Sequence, residues 1–435
     1  MRRGAHVPVQ VACARPASDR ALPGPLSLEE VALVSPSKTV HAFYTFVALR
    51  WLRLTGALWI LYLLHVGWSL WQVGVAEAVF HIVSFISGIP TGIFADRFGR
   101  RRSLVVGLLV GAIATPLEYL AAPHGVLFGA LAMGFSALGW TFIGGADQAL
   151  LHDLSRSLPE GPGSFARLYG GMDAISLASG AVAAPLGGWL ATSFGWGVPY
   201  FGQAILTLLA VLPVLSLSGS AHATEPSARQ DRPNLGVAWT ALRSQKGLAS
   251  LVMFGAVLGI VATSNHLYGQ STLTAKGLTV VQATAVIGLS SLLAACVSAL
   301  AYRVRRAGPM RLIRGGALLL AVLIAAVGPA KGPGAPAAYA LADVADGGVD
   351  VLYATELNRA SPEQVRATIA SAPEALFSFC MIVLFPIEGW AMARFGLSPV
   401  YLGLALLLLA AAALPFGERR ATPVRAFGLR LRSKS

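Results

Sequence analysis

The sequence predicts an all-α membrane protein whose twelve transmembrane helices form two pseudo-symmetric six-helix bundles. Composition is the first observation: of 435 residues, 55% are hydrophobic and only 12% are charged, about half the charged share of a soluble domain. The second is a series of apolar runs of about 20 residues, each long enough to cross a bilayer core of about 30 Å. The third is a repeat that relates the two halves of the chain. Backbone amides find no water in lipid, so such runs are expected to be helical.

Twelve apolar runs, separated by turn-forming sequences, are the predicted spans. They cover residues 41–65, 70–95, 103–122, 125–151, 165–190, 198–217, 248–270, 280–301, 311–329, 335–357, 366–391 and 397–415. Breaks such as APHG at 122–125 contain the Gly and Pro expected of turns. The chain is thereby divided into an N-terminal tail (1–40), an N-terminal bundle (41–217), a central linker (218–247), a C-terminal bundle (248–416) and a basic tail (417–435).

Lysine and arginine residues fall on one side of this predicted topology. With a cytoplasmic N-terminus, 28 of the 33 basic residues lie in cytoplasmic segments, and the outer loops hold only Lys276, Lys331 and Arg394. The positive-inside rule therefore predicts a multi-pass protein of the cell membrane with both termini in the cytoplasm. The net charge of +13 is explained by anionic lipid on that side, so no nucleic-acid partner is expected.

Two stretches of the N-terminal half recur in the C-terminal half with nearly equal offsets. Residues 184–202 align with 385–403 at an offset of 201, and residues 143–154 align with 346–357 at an offset of 203. The second alignment matches acidic positions as well as glycines. Two copies in the same orientation are typical of transporters whose binding site lies between the repeats.

The loop between predicted helices 2 and 3 contains a recognisable motif, GIFADRFGRR at residues 92–101. Written as G-x-x-x-D-R-x-G-R-R, it resembles the loop 2–3 signature of the major facilitator superfamily, at the place where that family has it. Together with the spans and the repeat, the resemblance covers residues 40–416. It implies the major facilitator fold and a drug/proton antiporter-like transporter that works by alternating access.

The same resemblance implies a cytoplasmic gating cluster that clasps helix ends in one state and releases them in another. Its members are Gly92, Asp96, Arg97, Gly99, Arg100 and Arg101, with Asp153 and the matching Glu356 at the ends of predicted helices 4 and 10. The equivalent stretch of the second half has Tyr302 where the acid would be. The gating cluster is therefore expected to be asymmetric between the two halves.

A pattern in predicted helix 5 resembles the exporter motif of the superfamily, G-x₈-G-x₃-G-P-x₂-G-G. The positions in register are Gly171, Gly180, Pro185 and Gly188, while Ala184 and Trp189 replace two glycines. Small residues let helices approach closely. The pattern favours antiport over uptake, although plain helix packing explains it almost as well.

No nucleotide-binding or hydrolytic motif occurs in the sequence, which lacks a P-loop, H-E-x-x-H and G-x-S-x-G. We therefore expect no enzymatic activity, no cofactor and no metal site. Transport would then be driven by an ion gradient, which requires titratable groups within the bilayer.

Predicted helix 10 carries the strongest candidates for a proton site. Asp343, Asp346 and Asp350 are spaced i, i+3 and i+7, so they share one helix face. Asp346 lies about 15 Å before Glu356, the predicted cytoplasmic end, and so falls near the bilayer mid-plane. Poor hydration and like-charged neighbours both favour its protonated form. The alternative for Asp343 and Asp350 is simple solvation in the outer and inner vestibules.

Three further groups at membrane depth are weaker candidates for the cavity. Glu374, in predicted helix 11, is the second choice for the proton site. Glu77 and His81 are i, i+4 neighbours on predicted helix 2, and they either function together or neutralise each other.

Two arginines in predicted helix 1, Arg50 and Arg53, are expected to pair with Asp147 or Asp173, or to snorkel toward the membrane surface, rather than bind an anion. The cavity is then acidic and interspersed with aromatic residues, which suits a small amphipathic solute, neutral or cationic, exchanged for protons. The leading hypothesis is a monomeric proton-coupled exporter that has a small-molecule substrate, protons and membrane lipids as partners. The alternatives are an uptake symporter for a small metabolite and a non-transporting receptor or scaffold.

Overall fold

The computed structural model describes residues 38–157, 164–217, 240, 242–243, 246–304, 309–362 and 365–415. These residues belong to one compact unit, Lys38–Ser435, and within the described part the chain forms helices joined by short turns, without strands. The prediction of an all-α protein is confirmed. The predicted tails and central linker fall largely outside the described residues.

Fifteen α-helices, α1 to α15, are found in the described residues. Those of the N-terminal half are α1 (Lys38–Trp51), α2 (Trp59–His65), α3 (Leu70–Phe98), α4 (Arg100–Ala121), α5 (Val126–Ile143), α6 (Ala146–Ser157), α7 (Ser164–Phe194), α8 (Gly197–Leu209) and α9 (Val211–Ser216). Those of the C-terminal half are α10 (Lys246–Ala275), α11 (Val280–Val304), α12 (Pro309–Val327), α13 (Gly334–Ala360), α14 (Arg366–Phe395) and α15 (Leu397–Ala412).

Nine helical stretches of the described chain are long and apolar enough to cross a membrane: α3, α4, α5, α7, α8 with α9, α10, α11, α12 and α14. The other three predicted spans differ from these for visible reasons. Residues 41–65 are divided between α1 and α2, α13 carries three aspartates, and α15 has only 16 residues. The predicted count of twelve is thus supported in part.

The prediction of one continuous helix over residues 41–65 is wrong, because residues 52–58 form turns between α1 and α2. At this break the Leu54 N–H donates to Gln203 Oε1 of α8 over 2.7 Å. A side chain from another helix thus replaces the backbone acceptor, since an unpaired amide is costly in lipid.

Two other predicted runs are each built from two helices. The run at 125–151 is divided at Gly144 and Gly145, between α5 and α6. The run at 198–217 is divided at Ala210, between α8 and α9.

Repeat-related turns connect the helices in the two halves. Gly195, between α7 and α8, has a φ angle of 101°, and Gly396, between α14 and α15, has a φ angle of 84°. Both angles lie in the left-handed region, which glycine adopts without steric cost. The offset of 201 residues in the sequence therefore reappears as the same backbone turn.

The two halves of the molecule meet mainly along two helix pairs, α3 with α14 and α7 with α11, and α10 also contacts α2. Within the N-terminal half, α5 packs between α3 and α4. Within the C-terminal half, α13 packs against α11 and α12, and the core contains the buried rings of Phe254, Tyr268, Phe385 and Tyr401.

The two ends of the bundle differ in their connections. One end contains the α3–α4 turn with its arginines and is predicted to be cytoplasmic; it is named the basic end. The opposite end contains tight turns with a glycine of positive φ: Gly67, Gly125, Gly195, Gly277, Gly332 and Gly396.

Candidate functional site

Close backbone contacts between α3 and α14 hold the two halves together at the opposite end. A Cβ atom added at Gly74 would lie 2.6 Å from Pro386 Cα and 2.7 Å from the Phe385 carbonyl oxygen. A Cβ atom added at Gly389 would lie 2.2 Å from the Leu70 carbonyl oxygen. Because non-bonded carbon atoms prefer about 3.5–4.0 Å, only glycine allows these contacts.

The α7–α11 pair is closed in the same way. A Cβ atom at Gly288 would lie 2.5 Å from the Ala181 carbonyl oxygen and 3.0 Å from Pro185 Cδ, and Gly188 directly contacts Thr284. Pro185 and Gly188 precede the proline and glycine of the α14 contact by 201 residues. The repeat therefore builds one glycine–proline contact twice, once in each interface between the halves.

A glutamine and a set of apolar side chains complete the closure. Gln270 of α10 donates from Nε2 to the Gly56 carbonyl oxygen over 3.1 Å and accepts from the Ile60 N–H over 3.3 Å. Six buried residues from both halves form one cluster, named the apolar plug: Ala57, Ala184, Leu273, Ala283, Ile287 and Tyr339. The opposite end is therefore sealed.

A cavity of about 730 Å³ lies between α10, α13 and α14, in the half of the bundle nearer the basic end. Its walls include Asp350, Tyr353, Asn358, Pro373, Glu374 and Phe377. Binding pockets for small molecules typically measure about 300–1,000 Å³. With one end sealed and this cavity toward the other, the molecule is in a state open at the basic end.

The three aspartates predicted on one face of α13 have different surroundings. Asp343 Oδ2 accepts a hydrogen bond of 2.7 Å from Ser290 Oγ of α11. Asp346 is half-buried, and its Oδ1 atom has no hydrogen-bond partner among the described residues. Asp350 is exposed in the cavity wall, as Glu374 is. The cavity wall thus contains Asp350 and Glu374, while Asp346 lies one helical turn deeper.

The prediction that Arg50 pairs with an acid is confirmed. Its guanidinium group forms an ion pair with Asp147, and the two side chains are only 10% and 14% exposed. The pair joins α1 to α6. Neither charge is therefore open to a substrate in this state.

Arg53 lies in the break between α1 and α2, and its side chain is exposed. It forms no ion pair among the described residues, although Glu118 and Glu77 lie near enough to offset its charge. The guanidinium groups of Arg50 and Arg53 both lie over the Trp140 ring, 5.1 and 5.4 Å from its centroid. The expected pairing of Arg53 with Asp147 or Asp173 is not formed, and cation–π contact takes its place.

Glu77 and His81 form the predicted neighbouring pair on α3, with His81 Nε2 3.7 Å from Glu77 Oε1. Both residues are buried. The His81 ring also meets the Phe377 ring of α14 edge-on at 5.7 Å. The pair thus lies in the α3–α14 interface, behind a residue that lines the cavity.

The arginines of the gating cluster bind helix ends of their own half. Arg100 Nη1 donates to the Ala149 carbonyl oxygen of α6 over 2.7 Å, and Arg101 donates to the Leu215 carbonyl oxygen of α9. Asp96 is exposed and has no hydrogen bond within the described chain. At the open end, the described contacts of the cluster therefore remain within the N-terminal half.

Other members of the cluster are spread over the same end. Three lie exposed around the α3–α4 turn: Gly92, Arg97 and Gly99. Glu356 lies 3.9 Å from Arg359 of its own helix. The side chain of Asp153 lies outside the described part.

The helix-5 pattern is explained at three of its four positions by packing. Pro185 and Gly188 belong to the α7–α11 contact. Gly171 lies against the Tyr44 hydroxyl of α1, whereas a Cβ atom at Gly180 would meet nothing within 4 Å. None of the four is in the wall of the cavity described above.

One buried acid, Glu388 of α14, was missed by sequence reasoning. Its side chain is only 7% exposed. Glu388 precedes Gly389, which touches α3, and the repeat places Gly187 at the equivalent position of α7. Its charge within a predicted span was the only signal in the sequence.

Comparison with known families agrees with this architecture. The family model described as Major Facilitator Superfamily matches residues 42–372. An uncharacterized transporter of Buchnera aphidicola is 28% identical over 156 residues, which are 36% of this chain and 38% of the relative. The multidrug resistance protein MdtH of Yersinia pestis is 33% identical over 144 residues, which are 33% of this chain and 34% of the relative. The chain thus spans between about a third and two fifths of these curated relatives.

Solved structures share the fold at low sequence identity. The nucleoside transporter NupG superposes with a TM-score of 0.65 at 15% identity, covering 86% of this chain and 96% of that one. A bacterial homologue of the human lysosomal transporter Spinster gives 0.66 at 16% identity, covering 88% and 95%. With a family match over most of its length, two glycine–proline interfaces between its halves and the fold of these transporters, the chain belongs to the Major Facilitator Superfamily.

Proposed function

We propose that this chain exports small amphipathic molecules, neutral or cationic, in exchange for protons, by alternating access. The observation that carries the proposal is the chemistry of the cavity wall. Asp350 and Glu374 supply negative charge beside the rings of Tyr353 and Phe377. Carboxylates attract a cation, and aromatic faces add cation–π and apolar contacts.

Export is favoured over uptake by two further observations. The relative from Yersinia pestis is named a multidrug resistance protein. In addition, α7 carries most of the pattern found in exporters of the family, including Pro185 and Gly188 at the interface between the halves. Arg53 is not in the wall of the cavity, so its positive charge does not exclude a cationic solute there.

Asp346 is the proposed proton carrier. It is half-buried, its Oδ1 atom lacks a hydrogen-bond partner in the described chain, and it lies one turn from the cavity acid Asp350. A carboxyl group in such surroundings favours the neutral form, because neither water nor a cation stabilises its charge. Water that reaches it in another state of the cycle would allow the proton to leave.

Replacement of Asp346 by asparagine tests the coupling. In proteoliposomes we expect Asp346→Asn to abolish accumulation driven by a proton gradient while preserving energy-independent exchange of substrate across the membrane. Asp343→Asn is the matched control, because Asp343 already has a hydrogen-bond donor in Ser290. If Asp346→Asn still concentrates substrate against a gradient, the proton is carried elsewhere, and Glu374 becomes the next candidate.

The direction and substrate class are tested together. Cells with and without the protein are compared for susceptibility to drugs and metabolites, and ethidium serves as the fluorescent cationic probe in inverted vesicles. Proton-driven uptake of ethidium into inverted vesicles would support export. Movement of a substrate in the same direction as the proton would support the uptake symporter. A solved D-xylose–proton symporter has a similar fold, with a TM-score of 0.63 at 15% identity. No flux of any compound would favour a receptor or scaffold.

A further inference from the structure

A groove in the N-terminal half lies at the basic end, away from the cavity. It has a volume of about 400 Å³ and lies between α3, α4 and α9. Six residues form its wall: Phe94, Arg101, Arg102, Val105, Val106 and Leu215. The cavity between α10, α13 and α14 shares none of these residues. We name this feature the α4 groove, because most of its wall belongs to α4.

The α4 groove has a charged end and an apolar end. Arg101 and Arg102 lie in the first turn of α4, at the basic end. Val105 and Val106 follow them by four residues, which places them on the same helix face and about 6 Å further along the helix axis. The guanidinium groups therefore lie near the membrane surface, and the apolar side chains lie deeper.

The apolar end continues into a surface that faces lipid. The Phe94 ring of α3 is held by the Phe142 ring of α5, which it meets edge-on at 5.3 Å. Close to the groove along their helices, Ile93, Leu109 and Leu212 are large, apolar and exposed. Such side chains on the outside of a membrane protein contact lipid tails, which are as apolar as leucine. The α4 groove is therefore open to the hydrocarbon of the bilayer.

The positive charge of the α4 groove is not neutralised by the described chain. Arg101 donates to the Leu215 carbonyl oxygen, which uses one of its five N–H donors. The guanidinium group of Arg102 is exposed and has no hydrogen bond or ion pair among the described residues. Within the same described part, no aspartate or glutamate lines the groove, and Asp96, the acid nearest in the sequence, is not in its wall. The groove is therefore complementary to an anion.

We propose that the α4 groove binds an anionic phospholipid of the membrane. Its phosphate group would lie against Arg101 and Arg102, since guanidinium groups bind phosphate through paired, charge-assisted hydrogen bonds. One acyl chain would lie along the apolar wall, where a small anion from water would gain no contact. Arginines beside an apolar groove between membrane helices are the features that recognise such a lipid.

A bound lipid would connect three helices at the basic end. Arg101 already joins α4 to α9 through the Leu215 carbonyl oxygen, and the acyl chain would add a contact with Phe94 of α3. Arg101 is also a member of the gating cluster, whose described contacts remain within this half. The lipid is therefore expected to hold the N-terminal half together at this end, without contact with the cavity.

Lipid binding does not require transport, so it can be tested apart from the proposed function. The purified full-length protein in detergent is titrated with phosphatidylglycerol or with phosphatidylcholine of the same acyl chains, and native mass spectrometry counts the lipids that each molecule retains. We expect phosphatidylglycerol to be retained at a lower lipid concentration, because only this lipid has a net negative charge to pair with the arginines. Inorganic phosphate and glycerol 3-phosphate, added as competitors, should not displace it.

Two pairs of variants assign the lipid to the groove. Arg102→Gln should raise the half-saturating concentration of phosphatidylglycerol by about fivefold, the effect expected for one arginine at an anionic membrane surface. Its matched control is Arg359→Gln, which removes an exposed arginine outside the groove at the same end and should bind as the wild type does. Val106→Trp fills the apolar end and should weaken binding with both arginines in place, whereas Leu109→Trp, on the same helix outside the groove, should not.

Equal retention of the two lipids by the wild type would refute the site, as would equal affinities of Arg102→Gln and Arg359→Gln for phosphatidylglycerol. Displacement by inorganic phosphate or glycerol 3-phosphate would assign the arginines to a soluble anion and likewise refute the lipid. If Val106→Trp binds phosphatidylglycerol as tightly as Leu109→Trp does, the acyl chain does not lie in the groove and the proposal fails. If Val106→Trp does not fold, the comparison of the two arginine variants decides.

Discussion

Gly74 allows a direct test of how the opposite end is sealed. A methyl group added there by Gly74→Ala would lie 2.6 Å from Pro386 Cα and 2.7 Å from the Phe385 carbonyl oxygen. Both neighbours are backbone atoms, so no change of side-chain rotamer relieves the clash. Helices α3 and α14 would have to separate by about 1 Å to restore normal carbon–carbon contact.

The separation weakens only the state in which the two helices touch. Overpacking of a tight contact raises the free energy by about 1–3 kcal/mol. In the state open at the opposite end these helices are apart, and the added methyl group has no such effect. The population open at that end should therefore increase by a factor of roughly 5 to 150 relative to the wild type.

A cysteine in the apolar plug reports this population. Ala57 is only 3% exposed, so Ala57→Cys should react with an impermeant maleimide only when the plug opens. The three native cysteines, Cys13, Cys296 and Cys380, are first replaced. With Gly74→Ala added, we expect the labelling rate from outside to rise by roughly the same factor of 5 to 150.

Gly88→Ala is the matched control on the same helix, because a Cβ atom at Gly88 would meet nothing within 4 Å. It should leave the labelling rate unchanged and stabilise the helix by about 0.5–1 kcal/mol. Equal labelling rates in the two variants would show that the α3–α14 contact does not close this end. A lower rate in Gly74→Ala would contradict the assignment of the closed state itself.

Three other predictions concern the gate, the buried ion pair and the topology. Asp96→Asn or Arg100→Ala should reduce the rate of transport with little effect on substrate binding, because the gating cluster biases conformational states. Unchanged transport in both variants would show that the cluster serves only to fix the membrane topology. Asp147→Asn should lower the free energy of unfolding by about 3–5 kcal/mol, because it leaves the Arg50 charge buried without its partner. In thermal melts, the double variant Asp147→Asn with Arg50→Met should recover part of the lost melting temperature. Equal melting temperatures of the single and double variants would contradict this prediction. Lys276→Cys should be labelled only from outside the cell, and labelling only from the cytoplasm would reverse the topology.

The features that the sequence predicted well depend on local patterns. Apolar runs identify helices because lipid forces the backbone to satisfy its own hydrogen bonds. The offset between residues 184–202 and 385–403 predicted equivalent halves, and it reappears in the turns at Gly195 and Gly396. The pairing of Arg50 with an acid was predictable because an isolated charge at membrane depth is costly.

The features that the sequence did not predict depend on contacts between distant helices. The break at residues 52–58 is stable because Gln203 of α8 accepts a hydrogen bond from the Leu54 N–H. The sequence around residue 54 does not indicate this distant partner. The burial of Glu388 depends on three helices that converge around it. The apolar pattern also left open which conformation the molecule adopts, because the same residues line the seal in one state and the solvent in another.

The two halves of the molecule differ in whether an equivalent acid is neutralised by an arginine. Asp147 and Asp350 are related by the repeat offset of 203 residues. Asp147 is neutralised by Arg50 from α1, but α10, the counterpart of α1 and α2, contains no arginine, and Asp350 remains exposed in the cavity without an ion pair among the described residues. For this pair of equivalent acids, the N-terminal half neutralises its carboxylate with an arginine, whereas the C-terminal half leaves its carboxylate uncompensated. Since an uncompensated carboxylate gains most from a proton, proton binding is expected to reside in the C-terminal half, where the Asp346 site is proposed.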